Sequence, residues 1–305
     1  RTDSSAASDV YKRQDDNDIS KIDNQKSSEW LKKLIENIKN DKNIIIKTRT
    51  SLAAYHNYNF LLARQNLTDH LSVNDRNNKI RQRLYKIRAK KVIISTGAIE
   101  RPQVFHNNDR PGIMLASAVK KYIDYYGVRC GLENVIFTNN DSAYETALSL
   151  HKSGTKLNAI IDIRDNSSSE IVNKVKSLGI QIYWNHTVVN TKGYKRINKI
   201  TIMKLNDKGN DVVGKKIELN CDCLAISGGW TPMVHLFTQS GGKLKFDNKD
   251  NIFVPDKTNL NQLSIGSAKG DFELDDVLKN SIKDTKKFLN IENSNFDKID
   301  VKCSK

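Results

Sequence analysis

The residues of this chain best placed to do chemistry are turn residues rather than acids, bases or nucleophiles. Ser95, Thr96 and Gly97 follow the β-branched run Val92, Ile93, Ile94, the pattern of a short buried strand that stops in a bare backbone turn. A turn without side-chain bulk lets a ligand approach the main chain closely. Gly266 and Ser267 follow Leu263, Ser264 and Ile265 near the end of the chain and are the next candidates. The usual catalytic types are poorly arranged by comparison. His56 and His70 have no carboxylate-and-nucleophile set beside them and read as structural or surface residues. Glu100 and Arg101 are adjacent after a turn, which predicts an interdomain salt bridge rather than a catalytic pair. Cys221 and Cys223 form Cys-x-Cys, not the Cys-x-x-Cys of a redox or zinc site, and Cys130 and Cys303 stand alone. No catalytic residue and no metal ligand is therefore assigned.

The elements that must position these turns follow from the apolar pattern. With 305 residues the chain is long enough for two domains of ordinary size. Residues 1–14 lack periodicity and read as a disordered tail; the ending Ser-Asp-Val-Tyr-Lys-Arg-Gln looks like a translated sequencing adaptor and is excluded from the fold. Ser27 or Ser28 can cap a helix whose Trp30, Leu31, Leu34, Ile35 and Ile38 form one apolar stripe. Residues 43–47 then predict a short Ile-Ile-Ile strand, and 49–71 a meander of strands leading to a polar hairpin at 75–79.

A strand–helix–strand unit of Rossmann type begins at Asn134: Val135-Ile136-Phe137, a helix over 143–152, and the strand 159–164. Where the dinucleotide fingerprint has Gly-x-Gly-x-x-Gly/Ala, this unit has Thr138-Asn139-Asn140-Asp141-Ser142-Ala143. Ala143 keeps the small residue that lets helix and strand pack. The first two glycines are gone, Asn140 fills the space of a phosphate in a position that tolerates a left-handed backbone, and Asp141 can cap the helix and repel an anion. The scaffold is retained and its nucleotide site is plugged. Residues 221–232 repeat, in degenerate form, the strand-to-glycine pattern of 91–102.

The strand ending in Ser-Thr-Gly resembles the one that closes the first nucleotide domain of disulfide-reductase-type flavoproteins. The expected fold is thus α/β, a two-dinucleotide-binding-domain Rossmann fold with an incomplete first domain (15–130, resumed at 223–292) and an inserted second domain at 131–222, followed by a tail at 293–305. Flavin-binding relatives have a Gly-Asp pair after the last strand, whose Asp anchors the ribityl chain; Ser267 stands there instead. Four further stretches narrow the resemblance: Thr-Gly-Ala-Ile-Glu-Arg-Pro at 96–102, Asn-Asn-Asp-Arg-Pro-Gly-Ile-Met-Leu-Ala at 107–116, Phe-Thr-Asn-Asn-Asp-Ser-Ala-Tyr at 137–144, and the segment 227–244 around Gly228-Gly229-Trp230-Thr231-Pro232. From about Ile19 to Leu289 the chain resembles the alpha subunit of heterotetrameric sarcosine oxidases.

That resemblance implies a complex that oxidises sarcosine to glycine with formation of hydrogen peroxide and methylenetetrahydrofolate. It implies a structural NAD in the first domain of the complete subunit, FAD, FMN and tetrahydrofolate elsewhere in the complex, and beta, gamma and delta subunits as partners, the amine being bound on another subunit. It places Leu52, Ser95, Thr96, Gly97, Gly266 and Ser267 toward the dinucleotide, Leu52 through its backbone. The chain reads as a fragment lacking both the N-terminal Gly-x-Gly-x-x-Gly unit and the C-terminal folate-binding domain that the resemblance implies, inactive by itself. The alternatives are the alpha subunit of an FAD-dependent proline, hydroxyproline or opine dehydrogenase, a stand-alone NAD(P)H-dependent flavin oxidoreductase, or an interaction module with relic pockets.

Charge and hydropathy bound the partners. The formal net charge is +15, but the lysines are spread through the chain among acids and asparagines, with no basic helix and no Arg–aromatic interleaving, so no nucleic-acid partner is expected. A basic surface can still draw in an anionic cofactor or subunit. No apolar run is long enough to span a bilayer and no secretory leader is visible, which predicts a cytoplasmic protein without membrane contact.

Overall fold

A computed structural model describes residues 20–291 and the strand Val301–Cys303; the expected tail at 1–14 lies outside the described residues. The chain divides into two compact units, one formed by 1–99 with 231–305 and the other by Glu100–Trp230. The boundaries of the inserted unit fall wider than 131–222. The reason is a strand: Ile113–Leu115 pairs in parallel with Cys223–Ser227, which draws the preceding turn and the helix Ala116–Tyr126 into the same unit.

The inserted unit is built on a five-stranded parallel sheet in the order Ile182–Trp184, Lys156–Asp162, Glu133–Thr138, Cys223–Ser227, Ile113–Leu115. Its strands are near-continuous apolar runs because both faces are covered. On one face Ile136, Ile160 and Ala225 pack against Ala116, Val119, Tyr144, Ala147, Leu150, Val172 and Val175 of three helices, Ala116–Tyr126, Ser142–Lys152 and Glu170–Ser177. On the other, Val135, Phe137, Ala159, Ile161, Leu224 and Ile226 meet Val188, Ile197, Ile200 and Ile202 of the antiparallel sheet His186–Gly193, Ile197–Leu205, Val212–Asn220. Alternate residues of one strand thus feed two cores, as a period of two requires.

The other unit is thinner. Its core is Tyr55, Leu61, Ile94 and Phe237 with half-buried neighbours. The antiparallel meander Thr50–His56, Phe60–Asn66, Gln82–Arg88 supplies Tyr55 and Leu61, while Ile94 comes from the strand Val92–Ile94, which pairs in parallel with Gln262–Ser264. Tyr55 is fully buried; its hydroxyl donates to Asn59 Oδ1 at 2.8 Å, and burial pushes its pKa up to about 12. Asn59 Nδ2 in turn donates to the carbonyls of Lys90 and Asn261, tying the meander to the starts of both parallel strands.

Several local expectations are corrected. Residues 44–46 do not form a strand: Ile44, Ile45 and Ile46 are 46%, 80% and 49% exposed, and no described strand lies alongside to pair with them. The helix starting at Ser27 runs Ser27–Asn40, with Lys26 rather than a serine in the N-cap position. The polar hairpin is instead a short helix, Val73–Arg76, whose cap Ser72 accepts from Asp75 N. Val92–Ile94 is buried only at Ile94, since Ile93 is 38% exposed, because a two-stranded sheet covers one face.

Candidate functional site

The parallel register Val92↔Gln262, Ile93↔Leu263, Ile94↔Ser264 continues one step further, Ile265 N donating to Ile94 O at 3.0 Å. Both strands therefore end at the same sheet edge, and Ser95-Thr96-Gly97 emerges beside Gly266-Ser267. In parallel sheets ligands are taken at this carboxyl end. Gly97 has φ +76°, and a Cβ placed on it would meet nothing within 4 Å. Gly266, opening a 3-10 turn, has φ +61°, and its Cβ would come 3.4 Å from Val277 Cγ1. Backbone conformation favours glycine at both positions, and at Gly97 open space adds room for a ligand. The turn is held from below: Thr96 Oγ1 donates to Met233 O at 2.8 Å, and Met233 N donates to Gly97 O at 2.9 Å.

Ser95 and Thr96 are exposed, and Ser267 is half-buried. Leu52 stands apart on the meander, paired with Ala63 beside a bulge, and its side chain packs on the core that includes Ile94. Of the six expected contacts the fold gathers all but Leu52 at one edge.

A dinucleotide fits these turns only in part. The bare backbone at Gly97 and Gly266 and the buried Ser264 Oγ, which has no hydrogen-bond partner among the described residues, suit an uncharged polar edge. A pyrophosphate finds no cradle there. The helix that follows, Leu274–Leu289, has Glu273 as N-cap and Asp275 and Asp276 in its first turn, so its positive end is already surrounded by carboxylates.

The corresponding turn of the inserted unit is filled by its own side chains. Thr138 Oγ1 donates to Asn140 O, and Asn140 Nδ2 donates to Ser227 Oγ at 3.0 Å and to Asn139 Oδ1 at 3.0 Å. Asn140 Oδ1 accepts from Ser142 N at 3.1 Å and from Ser142 Oγ at 2.6 Å, and Trp230 Nε1 donates to Ser142 Oγ at 3.0 Å. Asn140, not Asp141, thus satisfies the helix terminus, and it does so without the left-handed backbone that its type tolerates. Asp141 looks the other way. Its carboxylate pairs with Arg164 Nη1 at 2.7 Å and accepts from Ser167 Oγ at 3.1 Å. Burial works against its charge, but the Arg164 guanidinium and the Ser167 hydroxyl prevail and hold the carboxyl below the usual range.

Arg164 spans two carboxylates. Its Nε and Nη2 donate to fully buried Asp162 at 3.0 and 2.7 Å, and Tyr144 Oη donates to the same carboxylate at 2.8 Å. Burial opposes the Arg164 charge, yet Asp162 and Asp141 raise its pKa above the ordinary value; burial and the Asp162 charge push the Tyr144 phenol up as well. This network was not singled out from the sequence. The available signal is Asp162-Ile163-Arg164 at a strand end, two charged residues at i and i+2 on one face.

The remaining candidates resolve simply. Glu100 is buried and accepts from Ser117 N at 2.9 Å and Ser117 Oγ at 2.6 Å, so it caps the helix Ala116–Tyr126 instead of serving an interdomain ion pair. Arg101 exchanges backbone bonds with Gly228 and Gly229. His235, His56 and His70 are exposed, and the His56 ring stacks on Phe60. Cys221 and Cys223 are buried, and Cys130 is not isolated but packs against the core that contains Cys223. Burial pushes the Cys223 thiol up to about 12 and raises Cys221 further, so both are held as thiols rather than thiolates. Among the described residues no group of three or more His, Cys, Asp or Glu could hold a metal, and no helix is long and apolar enough to cross a membrane.

Comparison with known proteins is consistent with this architecture. No family model matches the chain. The curated sarcosine oxidase subunit alpha of Corynebacterium sp. (strain P-1) is 36% identical over 253 residues, which is 83% of this chain and 26% of that protein. Among solved structures, thioredoxin reductase of Lactococcus lactis superposes with a TM-score of 0.57 at 16% identity, covering 87% of this chain and 82% of that one. L-proline dehydrogenase from P. horikoshii gives a TM-score of 0.54 at 20% identity, covering 85% and 43%. These structures establish the fold, an α/β arrangement of the disulfide-reductase-like type. The chain spans about a quarter of the length of the curated relatives it matches. In sequence it is a relative of the sarcosine oxidase alpha subunits.

Proposed function

We propose that the chain is the portion of a sarcosine oxidase alpha subunit that carries part of a dinucleotide scaffold within a cytoplasmic oxidoreductase complex. Sequence similarity to sarcosine oxidase alpha subunits along most of the chain carries this reading. On it, the complete complex oxidises sarcosine to glycine with hydrogen peroxide and methylenetetrahydrofolate as products. NAD is held structurally by the alpha subunit, FAD, FMN and tetrahydrofolate serve elsewhere, and beta, gamma and delta subunits are the partners. This chain contributes no catalytic residue. Ser95, Thr96, Gly97, Gly266 and Ser267 contact the nucleoside portion of the NAD through a bare sheet edge, and Leu52 supports that edge from the core. Thr138–Asp141 is closed to a second nucleotide.

The fit of the turns sets an expectation for the chain alone. With an open edge but no phosphate cradle, it binds NAD more weakly than micromolar; isothermal titration showing micromolar affinity sinks that statement. For the full-length protein, mass spectrometry of the cofactor released on denaturation separates the readings. NAD supports the proposal, FAD favours a proline, hydroxyproline or opine dehydrogenase subunit, and no nucleotide leaves an interaction module. The dehydrogenase reading draws on the resemblance to the proline dehydrogenase structure, which at 20% identity is one of fold.

A further inference from the structure

The meander presents a second face whose composition is unlike that of the rest of the chain. Its inner face sends Tyr55, Leu61 and Ala63 toward the core. On the outer face the strand register places His56, Phe60 and Arg88 in one row, Ala54, Leu62 and Lys86 in the next, and Ser51, Arg64 and Leu84 in the third. Arg64, Leu84, Lys86 and Arg88 are exposed, and Phe60 and Leu62 half-buried. No aspartate or glutamate occurs in 42–68 or in 76–99, the stretches that contain all three strands. Asp69, just beyond, is engaged by Arg81 at 2.9 Å. The positive charge of the chain is therefore not evenly spread, and Arg–aromatic pairing, absent along the sequence, arises across the strands.

Two partner classes bind cationic faces, and the ring geometry separates them. Nucleic acid on an open sheet uses aromatic rings with free faces on which bases stack. Here the rows hold two rings, His56 and Phe60, which stack on each other at 6.0 Å, and the Arg88 guanidinium lies 5.6 Å from the Phe60 centroid, so both rings are already engaged within the sheet. What remains outward is Leu62 and Leu84 set between cations, a mixture that suits a protein surface able to bury the aliphatics and supply carboxylates. We propose that the outer face of this meander docks a carboxylate-rich protein surface. The inference uses the charge and register of the sheet and does not depend on which amine or cofactor the assembly handles.

The test is fluorescence anisotropy on the full chain with two labelled probes, a decaglutamate peptide interrupted by leucines and a single-stranded oligothymidine. The expected result is peptide binding that weakens with salt and falls at least about tenfold in the pair Arg64→Glu/Lys86→Glu. The neutral pair Arg64→Gln/Lys86→Gln gives a smaller loss and guards against misfolding, which far-UV circular dichroism also checks. The control pair Lys215→Glu/Lys216→Glu, exposed on the inserted unit, leaves binding unchanged. An equal loss in that control pair means diffuse attraction and overturns the proposal, as does peptide binding indifferent to Arg64 and Lys86. Tighter oligothymidine binding lost through the same reversal assigns the face to nucleic acid instead.

Discussion

Ser95-Thr96-Gly97 and Asn139-Asn140-Asp141 each follow a parallel strand at its carboxyl end, the place where sheets of this class take their ligands. Around the first, an added Cβ meets nothing, and the nearby Ser264 Oγ has no partner among the described residues. Around the second, Thr138, Asn140, Ser142, Ser227 and Trp230 satisfy one another, and Arg164 bridges Asp141 and Asp162. The same strand-to-turn geometry has been left open once and closed once. Retention of the strand-to-turn scaffold and retention of an open turn are therefore separable properties, and side-chain chemistry at a few turn positions divides them.

The largest effect expected from breaking the closed turn comes from Arg164→Ala. It leaves the fully buried Asp162 carboxylate with only the Tyr144 hydroxyl and a backbone N–H. Removing one partner of a buried pair costs about 3 kcal/mol here, the low end of the range, because those two donors remain. Chemical denaturation followed by Trp184 and Trp230 fluorescence, both within the inserted unit, reads the loss. The double change Asp162→Asn/Arg164→Ala recovers part of it, since no charge is then stranded. A single-variant cost below about 1 kcal/mol means that the ion pair does not hold the turn.

The sequence made one of these two turns much easier to read than the other. Val92-Ile93-Ile94 followed by Ser95-Thr96-Gly97 signals its strand and its turn directly, because β-branching and glycine are local properties. Most of the parallel sheet of the inserted unit was equally legible, its strands being apolar runs bounded by polar turns, but the edge strand Ile113–Leu115, three residues between a turn and a helix, was not. Loss of the glycines at Thr138 and Asn140 predicted that the second turn is filled. It could not show how: that Asn140 rather than Asp141 caps the helix depends on Ser227, a strand away, and on rotamers. Residues 44–46 failed for a related reason, since three isoleucines make a strand only when a neighbour supplies the ladder. The cationic face was hidden because its rows are assembled from three strands, and a count along the chain averages them with the acids elsewhere.

A smaller loss sharpens the account of the closed turn. Asn140→Ala removes the acceptor of Ser142 N and Oγ and the donor to Ser227 Oγ. Loss of a helix cap with its neighbouring bonds costs about 1–2 kcal/mol. Asn140→Asp keeps the cap acceptor and adds a charge favourable to a helix N-terminus, while losing the bond to Ser227. It should therefore unfold between Asn140→Ala and the parent. Equal loss in both variants would assign the stabilisation to Ser227 and not to the cap.

The smallest effect belongs to the open turn and tests whether it is open for a reason. Gly97→Ala places a Cβ on a backbone at φ +76° with nothing within 4 Å, so the cost is conformational alone, about 1 kcal/mol. Gly97→Asn should recover part of that, because Asn tolerates the left-handed region. Gly266→Ala adds a contact at 3.4 Å to Val277 and should lose somewhat more. Stability alone would make Gly97 a turn residue and nothing further. In the full-length protein the two variants at Gly97 separate conformation from ligand approach: Asn restores the backbone but occupies the open space. If NAD retention after gel filtration falls more in Gly97→Asn than in Gly97→Ala, while thermal stability follows the opposite order, the space beside Gly97 is where the nucleotide lies. If retention simply tracks stability, the Met233 bonds at this turn serve the fold alone.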